Sequence, residues 1–239
     1  MEKLRLSRYL SVVGVCSRRA AELLIKDGRI LINGKKAELG EKVDPEKDRI
    51  MLDNKPIRQK TNPRSYFMLN KPRGYVTTLN DEAGRKCVAD LTKGISTRVY
   101  SVGRLDKESE GLLILTDDGD LTNKLTHPSK HIPKTYRVTV KGNTSDEILK
   151  QLRSGVKLDD GYVTEPAEVK IHAEKEDRTI LIITIFEGKN RQIRRMCEAV
   201  NLEVLLLKRI AMGKISLGHL KAGEYRLLTK NEIEYLKSI

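Results

Sequence analysis

Between Gly103 and Gly119 the chain reads Gly-Arg-Leu-Asp-Lys-Glu-Ser-Glu-Gly-Leu-Leu-Ile-Leu-Thr-Asp-Asp-Gly, which sets Asp106 where a carboxylate nucleophile would be held. Gly103 and Gly111 permit tight backbone geometry, Leu112 to Leu115 predict a short buried strand, and Asp118-Gly119 is a turn signal that closes it. A loop feeding a rigid strand is a common seat for reactive side chains. A turn aspartate that only caps a strand would have the same local spacing. A second chemistry-bearing stretch, Phe186-Glu187-Gly188-Lys189-Asn190-Arg191-Gln192-Ile193-Arg194-Arg195-Met196, follows a β-branched run from Thr179 to Ile185. Gly188 allows the turn out of that strand. Ile193, Met196, Cys197 and Val200 then recur at helical spacing with arginines between them. His127 and His131 are four apart, a spacing able to hold zinc, but Pro128 and Pro133 interrupt a helix there and no third ligand is placed. The chain offers no P-loop and no dinucleotide fingerprint, so neither metal nor cofactor is expected.

The elements that position these residues are legible from periodicity. Leu6, Tyr9, Leu10 and Val13 predict a first helix ended by Gly14. Ser17 is a good N-cap for a second, through Lys26, with Ala20, Leu23 and Leu24 inward and Arg18, Arg19 and Lys26 outward. A strand at Arg29 to Ile32, an Asn33-Gly34 turn and a strand at Arg49 to Leu52 complete a small unit. The polar, proline-marked segment from Ile57 to Ser65 suits a linker. Beyond it, strands are predicted at Tyr66 to Leu69, Tyr75 to Thr78, Lys134 to Val140, Thr179 to Ile185 and Val204 to Leu207, with a short helix from Asp120 to Thr126. Thr229 with Glu232 forms a capping box for a terminal helix carrying Ile233 and Leu236. Many strands with scattered helices give an α+β fold class built on a largely antiparallel sheet. The expected division is 1–58, a linker at 59–64, and 65–239.

Charge narrows the partner. In 239 residues, Lys+Arg 46 against Asp+Glu 33 leaves a formal net charge of +13, more than solubility asks for and suited to nucleic acid. No apolar run approaches the roughly 20 residues that span a bilayer, and no apolar signal core follows Met1-Glu2-Lys3. A cytoplasmic protein without a membrane partner is expected. Cys16, Cys87 and Cys197 are widely spaced, which supports neither a disulfide framework nor a thiolate metal site.

Gly103-Arg104-Leu105-Asp106 and its flanks resemble motif II of the pseudouridine synthases, in the branch that modifies ribosomal RNA and carries an N-terminal S4 domain. The resemblance implies that Asp106 is the catalytic nucleophile and that Arg104 fills the place of a flipped-out base. Asn70-Lys71-Pro72-Arg73-Gly74 resembles that family's first motif, with Lys71 and Arg73 implied on the RNA backbone, although a basic surface turn would read alike. Lys134-Thr135-Tyr136-Arg137-Val138 matches the family's Lys-x-Tyr-x-Val, which implies that Tyr136 stacks on the target base. Gln192-Ile193-Arg194 resembles motif III, in which the arginine pairs with the aspartate and would hold Asp106 ionised. Lys134, Lys189, Arg191 and Arg195 are then RNA contacts. Leu217 to Leu228 resembles the closing segment.

Residues 1 to 58 resemble an S4 RNA-binding domain through Arg5-Leu6-Ser7-Arg8-Tyr9-Leu10, Ser17-Arg18-Arg19-Ala20 and Gly28-Arg29-Ile30-Leu31-Ile32-Asn33-Gly34. That implies phosphate contacts from Arg5, Arg8, Arg18, Arg19, Lys26 and Arg29, which orient RNA without reading its sequence. The resemblance as a whole implies a monomer that isomerises a uridine of ribosomal RNA, 23S before 16S. The alternatives are a non-catalytic ribosome-assembly factor and a transfer-RNA modifier.

Overall fold

In a computed structural model describing residues 3–57 and 63–239, the chain forms two units, Met1–Arg64 and Ser65–Ile239. The linker expected at 59–64 lies, through residue 62, outside the described residues.

The first unit comprises β1 (Leu4–Arg5), α1 (Leu6–Val12), α2 (Arg18–Lys26), β2 (Ile30–Ile32), β3 (Lys35–Lys36), β4 (Lys42–Val43), β5 (Ile50–Leu52) and β6 (Lys55–Pro56). Leu4 and Arg5, just ahead of α1, pair with Val43 and Lys42. Ser17 caps α2, its hydroxyl accepting from the Ala20 amide at 3.1 Å. The buried stripe of α2 is Ala21 and Ile25, with Leu24 at its edge, whereas Leu23 is 61% exposed. At 100° per residue, a stripe centred on residues four apart turns Leu23 outward, which corrects the expected inward face. Asn33 (φ 51°) and Gly34 (φ 84°) make the hairpin turn between β2 and β3. Leu6, Leu10, Ala21, Ile25, Ile30, Val43 and Ile50 form this unit's own core.

The second unit comprises β7 (Tyr66–Lys71), α3 (Val88–Leu91), β8 (Tyr100–Ser101), β9 (Glu110–Thr116), α4 (Gly119–Thr126), β10 (Lys134–Lys141), α5 (Asp146–Ser154), β11 (Glu168–Lys175), β12 (Arg178–Ile185), α6 (Gln192–Ala199), β13 (Val204–Met212), β14 (Ile215–Ser216), β15 (Tyr225–Leu227) and α7 (Lys230–Ser238). Its sheet runs β11-β12-β10-β13-β9-β7-β15, with β14 on β13 and β8 on β9. Every pairing is antiparallel except β9 with β13, where Glu110 and Gly111 lie opposite Lys208 and Arg209.

The apolar run of β9 is continuous because both faces of that strand are covered. Leu113 and Leu115 join one core with Val138, Leu181 and Ile193, while Leu112 and Ile114 join another with Leu121, Leu125 and Leu236. Asp118 does not end in a simple turn; its carboxylate caps α4 by accepting from the Leu121 amide at 3.0 Å. The strand predicted at Tyr75 to Thr78 does not form. Val76 makes an isolated bridge to Cys87, its amide donating to the Lys86 carbonyl and its carbonyl accepting from the Val88 amide, while the Thr77 hydroxyl donates to the Leu105 carbonyl, so no ladder forms. β13 runs to Met212, five residues beyond the predicted Leu207, because pairing with β10 and β14 carries it across the polar Lys208-Arg209. α5, capped by Ser145, and β11 were not predicted. No helix among the described residues is long and apolar enough to cross a membrane.

Candidate active site

The Asp106 loop is fixed through its own backbone. The Leu105 carbonyl accepts from the Thr77 hydroxyl (2.6 Å), that of Asp106 from the Ser109 amide (3.0 Å), and that of Lys107 from the Gly74 amide (2.8 Å). The Glu108 carbonyl accepts from Arg194 Nη2 (2.9 Å) and that of Ser109 from Lys71 Nζ (2.7 Å). Each successive carbonyl from 105 to 109 therefore has a donor. A loop bonded at every step loses its conformational freedom at folding rather than at reaction.

This arrangement revises two expected roles. Lys71 is fully buried, so it does not reach an RNA backbone. Its ammonium donates to the carbonyls of Ser109 and, at 3.0 Å, Pro72. Burial pulls its pKa from the ordinary 10.5 down to about 8, and the nearby negative charges of Asp106, Glu108 and Glu110 oppose that shift. Arg194 reaches the loop through the Glu108 carbonyl, with a longer contact of 3.4 Å to that of Val204, rather than by an ion pair with the Asp106 carboxylate. Burial is also the main influence lowering its pKa, opposed by the charge of Asp106. Asp106 and Arg194 thus lie within electrostatic reach without a direct bond. Through Arg194, the Gln192-Ile193-Arg194 stretch anchors the backbone from which Asp106 projects.

Asp106 is half-buried and borders a cleft of about 550 Å3 that is also lined by Arg104, Lys134, Tyr136, Lys189, Arg191 and Arg209. Tyr136 lies on the core-facing side of β10 and is 8% exposed. Lys134 is partly buried, its ammonium donates to the Ile132 carbonyl at 3.0 Å, and burial, followed by the charge of Arg209, lowers its pKa. Arg104 and Arg191 are exposed at the cleft, and Lys189 lies 4.4 Å from the Tyr162 ring centroid. Arg73 is exposed but held 2.7 Å from Glu108. Arg195 is a correction: both Asp159 and Asp160 pair with it, and only 17% of its side chain is exposed, so it fastens α6 to the 159–160 turn instead of offering a free cation.

The far wall was not foreseen. Glu187, 9% exposed, accepts from the Tyr162 hydroxyl, the Glu165 amide (3.0 Å) and Gln192 Nε2. The hydrogen bond to this carboxylate is the first cause of the rise in the Tyr162 pKa to about 12. Glu187 was visible in the sequence only as an acid among cations; Gln192 lies five residues on, but Tyr162 and Glu165 come from a segment more than 20 residues earlier. Arg209 was also missed, although an arginine within the apolar alternation of Val204 to Met212 was a signal. Its Nε donates to the Leu112 carbonyl at 2.8 Å. Gly111 makes that approach possible: a Cβ there would lie 2.2 Å from the Arg209 carbonyl oxygen, and its φ of +108° disfavours other residues.

In the first unit, Arg5, Arg18, Arg19 and Lys26 are exposed and Arg8 is half-buried. Arg29 differs, being bound to Asp53 through Nε (2.9 Å) and Nη2 (2.5 Å), which turns an expected phosphate contact into a strut between strands.

Comparison with known proteins shows the family. Residues 65–199 match the family model described as RNA pseudouridylate synthase, and residues 4–50 match the S4 domain. The chain is 42% identical to Ribosomal large subunit pseudouridine synthase B of Bacillus subtilis over 98% of this chain and 96% of that protein. It is 39% identical to Dual-specificity RNA pseudouridine synthase RluF of Escherichia coli over 96% of this chain and 77% of that one. A solved structure titled "Crystal structure of pseudouridylate synthase" superposes with a TM-score of 0.70 at 30% identity, covering 98% of this chain and 99% of the other.

Proposed function

Because this chain belongs to the RNA pseudouridylate synthase family, we propose that it isomerises one uridine of ribosomal RNA, 23S rather than 16S, as a cytoplasmic monomer. The reaction breaks the N1–C1′ bond, turns the uracil, and joins C5 to C1′. The C5 hydrogen leaves to water and N1 gains a proton, so nothing else is consumed. The target base must leave its stack to reach Asp106, at a cost of a few kcal/mol that is smallest in irregular RNA. Asp106 supplies the nucleophilic carboxylate, at the uracil ring or at the anomeric carbon, Tyr136 supports the base, and Arg104 occupies the vacated position. Arg194 and Lys71 position Asp106 through its backbone. Arg5, Arg8, Arg18, Arg19 and Lys26 anchor the RNA through phosphates, with Arg73, Lys134, Lys189 and Arg191 as further contacts.

One observation supports the reading most: a carboxylate that borders a cation-lined cleft on a loop whose five successive carbonyls are all bonded. An assembly factor without chemistry has no use for a carboxylate held this way. The test incubates unmodified 16S and 23S rRNA with wild type and Asp106→Ala, then maps pseudouridine by carbodiimide adduct and primer extension. One wild-type-only stop in 23S is the expected result. Stops only in 16S, or only in transfer RNA incubated in parallel, would replace the target. A stop produced by both proteins would remove Asp106 as nucleophile.

A further inference from the structure

Arg209 carries an unspent hydrogen-bond donor at the floor of the cleft. It is 3% exposed and sits on β13 directly across from Tyr136 on β10 and beside Gly111 on β9. Its Nε is bonded to Leu112, whereas Nη2 is buried without an acceptor. No ion pair to Arg209 is found among the described residues, and its positive charge adds to burial in lowering the pKa of Lys134. A buried guanidinium donor left unpaired is costly, and such groups in folded proteins call for a ligand or a catalytic use. Tyr136 and Arg209 are cross-strand neighbours on one face of the sheet, about 5 Å apart at Cβ. A base lying on the tyrosine ring therefore has its edge within reach of the guanidinium.

We propose that Arg209 holds an exocyclic carbonyl oxygen of the target uracil through Nη2 while the base is detached and turned. This rests on the pseudouridine synthase reading above. A phosphate is the poorer occupant: it keeps its hydration at the rim, where exposed Arg104 and Arg191 already serve, whereas the floor beside Tyr136 is buried and suits a neutral acceptor. When the N1–C1′ electron pair moves onto the uracil, its two carbonyl oxygens gain negative charge. A fixed buried guanidinium then binds the detached base more strongly than the starting uridine, and so favours the chemical step. The base can rotate about this contact without leaving the cleft.

The test uses RNA fragments around the mapped uridine, carrying uridine, 2-thiouridine or 4-thiouridine at the target, with wild type, Arg209→Lys and Arg209→Met under single turnover. Sulfur is the weaker acceptor. Wild type should slow by about 10- to 100-fold with sulfur at one of the two positions, and Arg209→Met should slow comparably on plain uridine while losing that positional preference. Arg209→Lys, which keeps one donor, should fall between them and serves where the methionine variant does not fold. Equal wild-type rates on all three RNAs, or an unchanged sulfur preference in a folded variant, would overturn the assignment. Absence of wild-type turnover on the uridine fragment would instead remove the underlying enzymatic reading.

Discussion

Replacing Lys71 with methionine separates what a buried cation costs the fold from what it does for the site. The ammonium is fully buried and donates to two carbonyls, and its pKa is lowered from 10.5 to about 8. A lysine with a depressed pKa is charged at a cost in the folded state below pH 8. As pH rises from about 8 to 10.5 the folded protein has released the proton while the unfolded chain still holds it, so stability rises with pH across that window. The displacement corresponds to about 3 kcal/mol at most. Wild-type stability relative to Lys71→Met should therefore be flat below about pH 7 and climb by up to about 3 kcal/mol toward pH 10.5, because taking the difference cancels the other titrating groups. Denaturant melts at a series of pH values read this directly. At pH 7 the two stabilities should lie within about 2 kcal/mol, since relief from burying a charge offsets the loss of two charge-assisted bonds. Activity should part company with stability. Without its Ser109 anchor the Asp106 loop shifts, and turnover, followed as tritium release from 5-tritiated uridine in RNA, should fall about 100-fold. A pH-independent stability difference would refute the lowered pKa. Full activity in a stable variant would refute the anchoring role.

Asp106→Asn should keep the wild-type melting curve and RNA affinity while lowering tritium release by about 10^4-fold or more; a smaller loss would count against nucleophilic catalysis. Gly111→Ala places a Cβ 2.2 Å from the Arg209 carbonyl oxygen at φ +108° and should cost about 3 kcal/mol or more in chemical denaturation, the β9–β13 pairing being unable to yield. Arg18→Ala with Arg19→Ala should weaken RNA binding and reduce the slope of log affinity against log salt by about 0.7 to 0.9 for each phosphate no longer neutralised, measured by filter binding. Thr229→Ala removes the side chain that accepts from the Glu232 amide at 3.3 Å and should lower stability by about 1 kcal/mol without altering turnover.

What could be read from the chain alone was whatever is encoded within a few residues. The Ser17 cap, the Thr229–Glu232 capping box, the Asn33-Gly34 hairpin and the buried run of β9 each depend on near neighbours and on side-chain periodicity, and each formed as the residue types demand. Asp106 stood out for the same reason, since its loop and strand are contiguous. Tertiary structure decided the fate of the cations. Nothing near Lys71 distinguishes a buried anchor from a surface contact until Ser109, 38 residues on, supplies an acceptor. Arg194 needed the carbonyl of Glu108, 86 residues away, and Arg209 that of Leu112, 97 away. Arg195 became a strut because Asp159 and Asp160 fold against it, and Tyr75 to Thr78 stayed irregular because no strand came alongside. A charged side chain has no preferred fate of its own. Burial costs it several kcal/mol unless acceptors converge on it, and convergence is a property of the packed chain rather than of the residue or its neighbours.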